Sequence, residues 1–221
     1  MKVYFISGLA ADCRVFKYVS LPEGFEPFFL DWIAPNLNES LQSYALRLAD
    51  GIDKTKPFAL VGLSMGGMIA TEIAKVHPVA ACILLCSVPT HLHMPRYYRW
   101  AFALRLHKMV PVGFLKQASM LKRGFTPDSK NDKKLLRQVI QDSDPVFIRW
   151  AMHAILSWQN ETIPAPLWHL HGTKDEILPI RFTKPTHVIE GGNHLMIMSK
   201  AIQLNEFLSV ALTTTSKQFV F

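Results

Sequence analysis

The sequence predicts an α/β protein: a doubly wound, mostly parallel sheet of six strands, helices on both faces, and one helical insertion. Three observations point there. Short apolar runs alternate with segments of helical spacing along most of the chain. A Gly-x-Ser-x-Gly sequence, Gly62-Leu63-Ser64-Met65-Gly66, stands between one apolar run and a helical segment. Residues 89–164, by contrast, offer no convincing strand.

Taken in order, the first strand is expected over residues 3–6 and runs into the loop Ser7-Gly8-Leu9-Ala10-Ala11-Asp12. A second covers 27–30. Leu41, Tyr44, Ala45 and Leu48 recur at helical spacing ahead of the third strand, 58–62, and a helix over 65–74 follows it. The fourth strand is expected at 82–86. The insertion that comes next is rich in Arg, Lys, Met and Trp, and Leu135, Leu136, Val139 and Ile140 mark a helix within it. It is expected to lie as a cap over the carboxyl edge of the sheet. Strands at 166–171 and 186–190 complete the sheet, and the polar tail near 213–217 is expected to fray.

A chain of 221 residues, 49% apolar and 19% charged, has enough material for one sizeable core and is expected to form a single domain. It has no run of eighteen or more apolar residues, so no membrane span is expected, and the first residues read as a strand rather than a secretion signal. Three cysteines do not make a disulfide framework. Cys82 and Cys86, on one predicted strand, would stand about 13 Å apart. That is too far for a bridge. A reducing, cytoplasmic setting is the expectation. Cys13 is read as a small, nearly buried thiol.

The chemistry centres on Ser64. A serine on the sharp turn between a buried strand and a helix is held in a strained conformation with its hydroxyl lifted out of the sheet. Gly62 and Gly66 fit because a Cβ at either place would collide with the neighbouring strand or helix. Serine needs a base, and the base needs an acid to orient it. His171-Gly172-Thr173-Lys174-Asp175 places a carboxylate, Asp175, just past the fifth strand. Gly191-Gly192-Asn193-His194 places an imidazole, His194, in the loop after the sixth. Both loops emerge at the carboxyl edge, where open α/β sheets bind ligands. Two backbone N–H groups are expected to receive the developing oxyanion, those of Met65 and Leu9.

These motifs together resemble the α/β-hydrolase superfamily along most of the chain. The resemblance implies a serine hydrolase acting on a carboxylic ester or thioester, with no cofactor and no metal. It also implies that Asp175, rather than its neighbour Glu176, is the acid. Many members carry His-Gly in the loop after the first strand where this chain has Ser7-Gly8, and many begin with an extra hairpin. With its first strand so near residue 1, this chain is expected to have a reduced sheet in the order 2-1-3-4-5-6. Carbon–carbon bond hydrolysis, lactone opening or non-catalytic ligand binding would use the same frame.

Other residues are read more plainly. Asp12 and Asp31 are loop or capping residues, and the pairs His91/His93 and His169/His171 lack the further ligands zinc needs. His171 belongs to the acid loop, behind the site. Met94, Trp100, Met109, Met120, Trp150, Met152 and Trp158 are core residues or pocket walls, and as a group they favour an apolar acyl or alkyl substrate. Charge is unevenly spread. Residues 91–149 hold twelve Lys or Arg against four Asp or Glu, a net +8, and the remainder carries −1 of the total +7. Arg96, Arg99, Arg105, Lys122, Arg123, Lys133, Lys134 and Arg137 contribute to a basic cap suited to an anionic or carrier-linked acyl substrate. No basic run interleaved with aromatics suggests nucleic acid.

Overall fold

The computed structural model describes residues 1–105, 113 and 129–216. Its six strands are β1 (Lys2–Ile6), β2 (Glu26–Leu30), β3 (Phe58–Leu63), β4 (Ala81–Leu85), β5 (Leu167–Gly172) and β6 (His187–Ile189). All neighbouring pairs are parallel, and the order is β2-β1-β3-β4-β5-β6. Strand order, direction and number are those the sequence predicts. The central strands β3 and β4 are buried at every residue. The edge strands differ, because each has a neighbour on one side only. Phe29 of β2 is 42% exposed, and His187 and Val188 of β6 are also exposed.

Alternate residues along each strand point to opposite faces, which creates two cores. Val3, Phe5, Ala59, Val61, Ile83 and Leu85 face one, closed by the C-terminal helix through Leu204, Leu208, Ala211 and Leu212. Tyr4, Ile6, Phe58, Leu60, Cys82 and Leu84 face the other. That second core is closed by α1 (Leu41–Leu48) and α2 (Met65–Val76). Ser40 caps α1 by accepting from the Ser43 N–H, which is why the helix begins where its apolar spacing does.

The insertion contributes three described helices: α3 (Arg96–Ala103), α4 (Lys130–Asp142) and α5 (Pro145–Ser157). They serve different cores. Leu136, Val139 and Ile140 of α4 join the first, while Phe147, Ala151 and Ala154 of α5 join the second. Ion pairs anchor α4 to the loop after β1, from Lys17 to Asp132 (2.5 Å) and Arg14 to Asp142 (2.8 Å). Trp158, just past α5, is buried and donates its indole N–H to Glu72 of α2 at 2.7 Å. Trp150 stacks near Tyr44 and donates to the Glu39 carbonyl. Met94 is buried as well, whereas Trp100 is 70% exposed. Met109, Met120, Lys122 and Arg123 lie outside the described residues.

Two cysteine expectations need correction. Cys13 is exposed, because the short 3-10 turn that carries it buries only Val15 and Phe16. Cys86 is not the last residue of β4. The strand ends at Leu85 and the backbone swings to φ 46° at Cys86, with both Cys82 and Cys86 buried as free thiols.

Candidate active site

Ser64 occupies the turn from β3 into α2 with φ 53° and ψ −118°, a conformation that costs a non-glycine residue about 1–3 kcal/mol. The surroundings hold it there. The Ser64 N–H donates to the Leu85 carbonyl at 2.9 Å, and the Ser64 carbonyl accepts from the Ser87 hydroxyl at 2.6 Å. A Cβ on Gly62 would fall on the backbone of Gly66 and Gly67, and one on Gly66 would fall on the carbonyls of Ile6 and Ser7. The elbow is therefore clamped between two strand ends with no room for side chains on its flanks.

Ser64, His194 and Asp175 come together as a hydrogen-bonded series. His194 Nε2 stands 2.9 Å from Ser64 Oγ, and His194 Nδ1 stands 2.8 Å from Asp175 Oδ2. Because the carboxylate only accepts, the imidazole proton sits on Nδ1, and Nε2 accepts from the serine hydroxyl. The acid and histidine loops meet closely. A Cβ on Gly172 would overlap the Gly192 carbonyl, and the Lys174 N–H donates to that same carbonyl at 2.8 Å.

Asp175 is buried and saturated with donors. Its Oδ1 accepts from the N–H groups of Ile177 and Leu178, both at 2.9 Å. Its Oδ2 accepts from His194 and also from His171 Nε2 at 3.2 Å. His171 Nε2 faces the Leu178 carbonyl at 2.7 Å as well. Two acceptors around one ring nitrogen mean that this nitrogen carries the proton. Burial pushes the Asp175 carboxyl upward, but the two imidazoles outweigh it and hold the group well below the usual carboxylate range. Glu176, the neighbouring carboxylate, is exposed.

Met65 is the first residue of α2, so its N–H has no partner within the helix. The loop after β1 runs beside the nucleophile, and a Cβ on Gly8 would stand 3.3 Å from that of Ser64. Leu9 follows directly.

Sequence reasoning passed over three neighbours of the site. Ser87 ties down the elbow backbone. Tyr98 of α3 donates its hydroxyl to the Ile177 carbonyl at 2.6 Å, linking the insertion to the acid loop. Cys86 has its Sγ within 4.8 Å of ligand atoms of both Asp175 and His194. None shows in local spacing, because each meets the site from a different strand end or helix. Beneath them His169 is buried against His171, ring centroids 5.6 Å apart, and burial together with that neighbour brings its pKa down to about 3. Neither His91/His93 nor His169/His171 gathers a metal-ligand set among the described residues.

Residues 3–206 match the model of the alpha/beta hydrolase family. The chain belongs to that family. Its fold is shared with a thermophilic esterase from Thermogutta terrifontis, at TM-score 0.74 and 20% identity over 97% of this chain and 90% of that one. The enol-lactonase from Burkholderia xenovorans is similar at TM-score 0.77 and 16% identity, covering 96% and 91%. MenH from S. aureus is similar at TM-score 0.78 and 16% identity, covering 98% and 94%. No curated protein matches the chain in sequence.

Proposed function

We propose that this α/β hydrolase is a serine hydrolase cleaving a carboxylic ester or thioester of a small, largely apolar acyl group through an acyl-enzyme. The observation that carries the reading is the unbroken series from Ser64 Oγ through His194 to Asp175, at 2.9 and 2.8 Å. Ser64 passes its proton to His194 Nε2 as Oγ attacks the acyl carbon. The tetrahedral oxyanion is received by the N–H groups of Met65 and Leu9. His194 returns the proton to the leaving group, and a water molecule, activated by the same imidazole, releases the acid and regenerates the serine. Asp175 holds the ring in the right tautomer and steadies its positive charge. Solved structures of the same fold include an esterase and an enol-lactonase, which is consistent with this chemistry.

The test is covalent labelling. A fluorophosphonate should add once per chain, at Ser64, and Ser64→Ala should lose labelling together with several orders of magnitude in kcat. Undiminished labelling of a folded Ser64→Ala protein overturns the reading.

A further inference from the structure

We propose that Cys86, Asp175 and His194 form a binding site for a thiophilic divalent cation, Zn2+ or Cd2+, whose occupancy switches hydrolysis off. The effect on turnover rests on the serine hydrolase reading; the binding does not.

Hydrolysis needs the imidazole and the carboxylate but gives the thiol no task. Cys86 is fully buried. Yet the turn out of β4 at Cys86 aims Sγ under the histidine loop, 3.6 Å from the Asn193 carbonyl, to which it donates. The three ligand atoms then lie within 4.8 Å of one another, all in buried residues. Sulfur, imidazole nitrogen and carboxylate oxygen form a donor set that zinc accepts. Ideal tetrahedral bond lengths put such atoms about 3.4–3.6 Å apart. The His194–Asp175 pair, now at 2.8 Å, would open by a little over half an ångström, roughly, and the thiol would swing in. The N–H groups of His171, Ile177 and Leu178 already orient the carboxylate from behind, as outer partners of metal ligands do.

Charge also balances. A thiolate and a carboxylate offset the two positive charges of the cation, so the filled site is neutral where an unpaired charge would be costly. On binding, the Cys86 proton leaves to solvent. The His194 lone pair at Nδ1 goes to the metal and the ring proton moves to Nε2. One proton is released in all. With Nε2 protonated, His194 no longer accepts the Ser64 proton, and attack on the acyl carbon stops.

The experiment separates binding from activity. Ser64→Ala protein titrated with Cd2+ should take up one ion with a cadmium–thiolate charge-transfer absorption. The band should vanish when Cys86→Ala is added and persist when Cys13→Ala is added, which excludes the exposed thiol. In the otherwise native chain, Zn2+ should inhibit ester hydrolysis, EDTA should restore it, and Cys86→Ala, scored against its own metal-free rate, should need at least about tenfold more Zn2+ for half-inhibition. Cys86→Ser serves if the alanine variant does not fold. A band that survives loss of Cys86, or equal Zn2+ sensitivity in both proteins, overturns the proposal. If the chain hydrolyses nothing, the cadmium titration still decides the site.

Discussion

Asp175 carries four donors and almost no solvent contact, and this shapes how the protein responds to acid. Its folded-state carboxyl lies below the usual range, since its two imidazole partners outweigh burial. A depressed carboxyl stabilises the fold in full above the unfolded value of about 4 and loses that contribution as pH falls through the folded value. Urea midpoints of the native chain should therefore fall between about pH 5 and pH 3. Asp175→Asn should lose less over the same interval, so the two curves converge at low pH. Parallel curves would mean that Asp175 is not the group responsible. At the same scale the serine, acid and imidazole positions were legible from Gly-x-Ser-x-Gly and from two glycine loops after later strands. Ser87, Tyr98 and Cys86 were not, because a residue that reaches a site across the sheet leaves no local signature.

The β3–α2 element shows why an elbow needs glycines. Helix α2 approaches β3 and β1 so closely that the backbone of Gly66 and Gly67 fills the space a side chain at 62 would need. Gly62→Ala should destabilise the fold by about 3 kcal/mol, measured as a shift in urea midpoint, because the atoms met are backbone and a helix must move. A change below about 0.5 kcal/mol would show that the helix yields easily. The helix at 130–142 was equally legible, since Leu136, Val139 and Ile140 sit at helical spacing. Its docking was not. That its ends pair with Lys17 and Arg14 follows only from where the loop after β1 lies.

Across the whole molecule, charge is segregated. Arg96, Arg99, Arg105, Lys134, Arg137 and Arg149 are exposed. Among the described residues none of these six makes an ion pair, while Asp132 and Asp142 are engaged by Lys17 and Arg14. Such a surface speeds association with an acidic partner, and salt screens the advantage. If the substrate is an acyl group on coenzyme A or on an acidic carrier, kcat/KM for it should drop several-fold between about 20 and 300 mM salt, with a neutral short-chain ester nearly unchanged. Equal salt response of the two substrates would reduce the basic insertion to a solvated face. No helix among the described residues is long and apolar enough to cross a membrane.

The amino-acid order by itself determined the six strands and the serine, carboxylate and imidazole at three strand ends, because burial periodicity and tight turns are local properties written in neighbouring side chains. The strand order and the choice of Asp175 over Glu176 came from the resemblance to the α/β-hydrolases. Only the tertiary structure decided which cores the inserted helices complete, that a second imidazole, His171, backs the acid, and that a thiol from the end of β4 stands beside the same carboxylate. Those outcomes depend on distances between elements far apart in the chain. Such distances are set by how the two cores pack around the sheet, and no window of sequence contains them.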